Sequence, residues 1–256
     1  MARTRTLQGA RMNEGKSPIL DGPGGKSPIL DGPGGSDYER YLHTEELLAL
    51  QPGPDTWRHR DELLFTVVHQ SSELWLKLAC SEVSTAMEEL ALGRTYPALR
   101  LLRRAVVCIH HTIASLDMLE EMTPWEYQQV RTALGHGSGF DSPGFNRLRI
   151  LMPDLANHLS NRVAEAGLTL RELFIHQSRN EELIDLAEVI LTLDERLMDW
   201  RARHFRVVER TIGLDVEGTQ GTPVTVLRDL RDKTFVPDLW AVRTHITEYA
   251  NEVLAE

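Results

Sequence analysis

Asp61-Glu62-Leu63-Leu64-Phe65-Thr66-Val67-Val68-His69-Gln70-Ser71-Ser72-Glu73-Leu74-Trp75-Leu76-Lys77-Leu78 opens a segment that continues to Leu92 and ends at Gly93. Its apolar residues recur every three to four positions. That spacing predicts one long amphipathic helix, with a glycine just past its end. A helix of this length buries its stripe most readily in a bundle.

The same texture recurs on both sides of this segment. Ser36 or Asp37 can cap a helix over 38–50, stopped by Gln51-Pro52-Gly53-Pro54. Pro97 suits the first position of a helix reaching Glu121. Thr123-Pro124 reads as a cap and first turn for 125–134, and Gly135-His136-Gly137-Ser138-Gly139 then breaks the chain. Further helices are expected at 143–165, 168–177, 179–212 and 238–254, with a loop at 213–223. Period-two alternation is absent, so the fold class is all-α, a helical bundle. Residues 1–35 differ. Gly15-Lys16-Ser17-Pro18-Ile19-Leu20-Asp21-Gly22-Pro23-Gly24 recurs unchanged from Gly25 to Gly34. Glycine and proline at this density, in only two copies, predict a disordered arm ahead of a single helical domain over 36–256.

Composition narrows the function. In 256 residues, 38 Asp and Glu face 28 Lys and Arg, a formal charge of −10 that disfavours nucleic acid and anionic membranes as partners. Cys80 and Cys108 are too few for a disulfide framework, a cysteine-rich zinc site or a Cys-x-x-Cys-His haem attachment. No apolar run is long enough to span a membrane, and no secretory signal pattern occurs, so a cytoplasmic protein is expected. There is no His-Glu-x-x-His, no phosphate-binding glycine loop and no Gly-x-Ser-x-Gly.

Three groups of residues could carry chemistry. Phe65 and His69 lie four apart and share a helix face with Leu and Val. A histidine on such a face is more often a core residue than a ligand. Tyr127, Arg131 and Leu134 form one stripe, with Ser138 just beyond the glycine break. Arg131 could grip a carboxylate through its planar fork, or simply pair with Glu126 or Asp141. His204 sits among Arg201, Arg203 and Arg206. Met198, Trp200 and Val207 could give it an apolar setting, where a neutral imidazole can bind a metal or haem iron. His110 and His111 are adjacent and cannot form a helical metal pair, while His136 lies in the glycine loop.

Taken together, these segments resemble a known family. Phe65 to Leu78, Met122-Thr123-Pro124-Trp125-Glu126-Tyr127 with Arg131, Gly137-Ser138-Gly139-Phe140, Pro237-Asp238-Leu239-Trp240-Ala241-Val242-Arg243-Thr244 and Tyr38-Glu39-Arg40-Tyr41-Leu42 resemble, in order, the motifs of tryptophan 2,3-dioxygenases over roughly residues 37–250. The resemblance implies an all-helical homotetramer that uses haem b and O2 on a small molecule, L-tryptophan or a close derivative such as a β-methylated one. By the same resemblance, His204 would be the proximal iron ligand, and His69 the distal histidine facing the indole N–H. Phe65, Tyr127, Leu134 and Ser138 would line the pocket. Arg131 would bind the carboxylate, and Thr219 would contact the ammonium and the carboxylate. Tyr38, Tyr41 and Leu42 would be donated by a neighbouring subunit, so that active sites are shared.

The chain departs from the family pattern after His204. Gly218-Thr219-Gln220-Gly221-Thr222-Pro223 replaces a glycine-richer loop, and Leu116 stands where an aromatic residue is common. Two outcomes follow for such a site. One is dioxygenation to N-formylkynurenine. The other is monooxygenation of a tryptophan derivative to a 2-oxindole in secondary metabolism. A haem- or indole-binding sensor without turnover is a third reading, which the retained His69 and Arg131 disfavour, since holding haem requires neither.

Overall fold

The computed structural model describes residues 36–135 and 137–254. The duplicated decapeptide, the rest of 1–35 and His136 lie outside the described residues. The described residues fall into two units, one ending at Asp55 and the other beginning at Thr56.

In the first unit, α1 spans Asp37–Leu42 and α2 spans Thr44–Leu48. Ser36 caps α1 through a reciprocal pair, its hydroxyl accepting from the Glu39 N–H while the Glu39 carboxylate takes the Ser36 N–H. The single helix expected over 38–50 is interrupted because His43 adopts a left-handed conformation (φ 53°) that ends α1.

The second unit contains α3 (Asp61–Ala91), α4 (Thr95–Glu120), α5 (Pro124–Leu134), α6 (Pro143–Glu165), α7 (Leu170–Ile175), α8 (Glu181–Ile212), α9 (Thr225–Leu230) and α10 (Pro237–Val253). Among the described residues there is no strand, only an isolated bridge between Glu217 and Pro223. The all-α expectation therefore holds. α4 starts two residues before Pro97, which still falls in the first turn, where no N–H is needed. Short α9 lies beyond the expected 213–223 loop, in a stretch where the sequence predicts no element, because six residues are too few to show a period.

α3, α4, α8 and α6 form a closed ring of neighbours, and α5 and α9 lie against its members. Arg104 reaches Glu82, Trp75 stacks on His111 and Val68 packs with Leu116, so α3 and α4 are antiparallel. Arg103 pairs with Asp185 and Arg210 with Glu120, so α4 and α8 run parallel. The core between them is aliphatic, with Leu76, Leu102, Ile109, Leu155, Leu186 and Ile190 fully buried. Each such side chain contributes about 1.5–3 kcal/mol by leaving water.

Two polar devices fix the helices. The Glu73 carboxylate on α3 accepts from the Ser142 hydroxyl and from the Gly144 N–H, so it holds the start of α6. Only glycine fits at 144, because a Cβ there would stand 2.4 Å from the Cβ of Leu76. Asp194 is fully buried on α8. Its carboxylate accepts from the Phe235 and Val236 N–H groups and the Trp240 indole, which anchors the entry to α10.

Candidate functional site

One end of the bundle is left incompletely filled. There, a cavity of about 590 Å³ opens between the first turns of α3, the last turns of α8, the start of α6 and the loops after α5 and α8. That size falls in the range of about 300–1,000 Å³ usual for cofactor and small-molecule sites. Phe65 and His69 enter it from α3, Tyr127 and Leu134 from α5, Ser138 from the glycine loop, His204 from α8 and Thr219 from the following loop. The structure thus gathers seven of the candidate residues around one space.

His69 lies beside Phe65, with ring centroids 4.0 Å apart, and its Nδ1 is 2.7 Å from the Phe65 carbonyl oxygen. A carbonyl can only accept, so Nδ1 carries the proton and Nε2 of the neutral ring keeps a free lone pair. Loss of water around the ring lowers its pKa below the ordinary histidine value, the Phe65 bond and Glu73 opposing that only in part. His204 is stacked on Trp200 at 4.7 Å and 8°. Burial, with a smaller contribution from His69, pushes its pKa down to about 4. Among the described residues nothing hydrogen-bonds to this ring, so near neutral pH it is an uncharged imidazole without a protein partner. The apolar setting comes from Trp200 and Val207, as expected, but Met198 does not line the cavity. Arg203 turns away to Asp117 and Glu120, and Arg206 pairs with Glu209.

Arg131 is placed differently from its neighbours. It is not among the lining residues, and its Nη2 donates to the backbone oxygen of Glu217 at 3.0 Å. Its charge nevertheless acts on Tyr127, opposing the burial that raises the phenol's pKa. Among the described residues it pairs with neither Glu126 nor Asp141. Thr219 donates its hydroxyl to the Gly137 carbonyl. That leaves the oxygen's lone pairs available to an ammonium group. Tyr38, Tyr41 and Leu42 lie on α1 in the first unit, 68%, 84% and 45% exposed. Leu116 is buried, packed with Val68, Leu119 and Val207 against Phe65 and Trp200.

Sequence reading missed several lining groups. Phe145 on α6 packs on Trp200 at 4.0 Å, and Phe235 lies under the Arg201 guanidinium at 5.1 Å. Arg149, Arg201 and Lys233 are the cations in the lining, and among the described residues the lining holds no carboxylate. Arg201 is spent on the Leu197 and Lys233 carbonyls. Arg149 and Lys233 keep their charged ends unpaired among the described residues. Asp141 is not a partner of Arg131 among the described residues; Ser138-x-x-Asp141 is a capping pattern, and that is where its carboxylate is used.

The family model for tryptophan 2,3-dioxygenase matches residues 27–164. A tryptophan 2,3-dioxygenase of Erythrobacter litoralis is 31% identical over 260 residues, covering 82% of this chain and 98% of the relative. That of Saccharopolyspora erythraea is 31% identical, covering 82% and 92%. That of Kineococcus radiotolerans is 33% identical over 261 residues, covering 82% and 91%. Similarity over 82% of this chain and more than nine-tenths of each relative, on an all-helical fold whose cavity collects the motif residues, places this chain in the tryptophan 2,3-dioxygenase family of enzymes.

Proposed function

We propose that this enzyme is a haem-dependent oxygenase of L-tryptophan or a close derivative, inserting O2 into the indole C2–C3 bond to give N-formylkynurenine. The observation that carries this reading is the pair of neutral imidazoles, His69 and His204, opening into one apolar cavity that holds no carboxylate among the described residues.

The residues fit haem b. His204 offers an unprotonated, unpartnered nitrogen for the iron, Trp200 fixes its plane, and Arg149 and Lys233 suit the two propionate carboxylates. When bound, the haem supplies oxygen activation, and the protein supplies binding and orientation.

The substrate is held from both ends. Nε2 of His69 accepts the indole N–H, orienting the ring without serving as an essential base. Arg131 still has donors free beyond the one given to Glu217, and these take the amino-acid carboxylate. The Thr219 oxygen accepts from the ammonium. Two anchors at opposite ends hold C2 and C3 in one place, the proximity term of the rate. Phe65, Leu134 and Phe140 exclude water around the reacting carbons.

The family resemblance further implies a homotetramer in which Tyr38, Tyr41 and Leu42 complete a neighbour's site. Their exposure supports this, as does that of the apolar residues Leu74, Trp75 and Leu78 on α3 and Val107 and Met118 on α4. Among the described residues no helix is long and apolar enough to cross a membrane.

The test is one turnover of ferrous, haem-loaded protein with L-tryptophan and ¹⁸O2, read by mass spectrometry. Two labelled atoms in a ring-opened product are expected. One labelled atom on an intact indole would replace dioxygenation with monooxygenation, the outcome toward which the altered 213–223 loop points. Failure to retain haem, or to oxidise any tryptophan, would overturn the reading.

A further inference from the structure

Two loops that carry candidate substrate residues are tied to each other through one carboxylate oxygen. Asp141 Oδ2 accepts the Ser138 backbone N–H at 3.1 Å and the Gln220 side-chain amide at 2.7 Å. The first bond shapes the turn that presents Ser138. The second reaches the residue next to Thr219. Two more bonds join the same segments, from Thr219 to the Gly137 carbonyl and from Arg131 to Glu217.

The loop after α8 is closed on itself. The Gly218 N–H donates to Thr222 at 2.9 Å and the Val224 N–H to Val216 at 3.1 Å, while Gly221 supplies the positive φ (72°) that its turn requires. A loop closed in this way moves as a body, so a single tether can hold all of it. Of the three cross-links, those from Arg131 and Gln220 are charge-assisted, through an ionised donor and an ionised acceptor respectively, and so of the stronger kind. Of the three, the Gln220 bond alone engages no residue that is itself a candidate to touch the substrate.

We propose that Gln220 is a positioning residue: through Asp141 it latches the 213–223 loop over the cavity before substrate arrives, and so fixes where Thr219 presents its hydroxyl. The loop has lost glycines relative to the family pattern, and this side-chain bond further restrains what remains. In this role Gln220 bears on the proposed tryptophan reading, but the latch itself can be measured without it.

The test compares haem-loaded wild type with Gln220→Ala, Gln220→Glu and the double variant Gln220→Glu with Asp141→Asn. Hydrogen exchange of peptides covering 214–222 is read by mass spectrometry. Gln220 is exposed, so none of these changes threatens the fold. Exchange is expected to rise about tenfold in Gln220→Ala and further in Gln220→Glu, where two carboxylates would oppose. The double variant restores a bond with donor and acceptor exchanged, and should return toward wild type. In steady state, KM for L-tryptophan should rise about tenfold in Gln220→Ala with kcat within about twofold, because a fraction of the loop must close on each binding event. Unchanged exchange in both single variants would overturn the latch. A wild type that oxidises no tryptophan would instead sink the functional reading, and the exchange result would still decide the latch.

Discussion

The Nδ1–H of His69 donates to the carbonyl oxygen of Phe65, one turn earlier on α3, at 2.7 Å. This bond fixes the tautomer, so the ring offers Nε2 as an acceptor whenever it is neutral. Its pKa lies below the ordinary value of 6.5, chiefly through loss of water. The sign follows: the acceptor form persists as pH falls through 6.5 and is lost only below it. A profile of kcat/KM against pH should therefore stay flat through 6.5 and fall on the acid side of it. His69→Ala should remove this limb and lower kcat/KM by about 10–100-fold. A limb centred above 6.5 would contradict the assignment.

Arg131 donates to the Glu217 carbonyl, and in the proposed function it also takes the substrate carboxylate. Arg131→Ala should weaken L-tryptophan binding by about 2–5 kcal/mol, because a carboxylate would lose its charged partner. Arg131→Lys should recover little of this, since an ammonium cannot serve both acceptors in the geometry of a planar fork. Equilibrium titration of the two variants checks it, and near-wild-type affinity in Arg131→Ala would place the carboxylate elsewhere.

Haem retention separates His204 from the cations around it. His204→Ala should lose stoichiometric haem on gel filtration. Arg149→Ala with Lys233→Ala should keep the axial ligand but release haem faster, as each pair with a propionate is a charge-assisted bond. Exchange of haem to an acceptor such as apomyoglobin measures the rate. Loading with the dimethyl ester of haem should erase the difference between wild type and the double variant.

Asp194 is a buried carboxylate with three protein donors. Asp194→Ala should cost about 2–4 kcal/mol in urea unfolding, because those donors lose their acceptor in the core. The entry to α10 and Phe235 should loosen with it.

Gly144→Ala is expected to destabilise by about 1–3 kcal/mol, since its Cβ would meet Leu76 at 2.4 Å and α3 and α6 would have to separate. The cavity lies at this end of the bundle, so haem affinity should fall in the same variant.

Local sequence patterns specify most of the helices and many of their ends. The periodicity of α3 is local information, and so are the Ser36 and Thr123 caps and the glycine after Leu134. The motif order also determined the family. Local reading failed where the signal was shorter than a period, as in α9, or where one backbone angle intervened, as at His43. Tertiary structure alone decided which residues share a site. Phe65, Tyr127, His204 and Thr219 stand far apart in the chain, and only the packing of α3, α5 and α8 brings them to one cavity. It also decided what polar groups do. Asp141 serves Ser138 and Gln220 rather than Arg131, and Asp194 disappears into the core. A helical period specifies which face is apolar over several turns. A hydrogen bond between distant side chains leaves no period behind, because it depends on two positions whose separation in sequence carries no information about their distance in space.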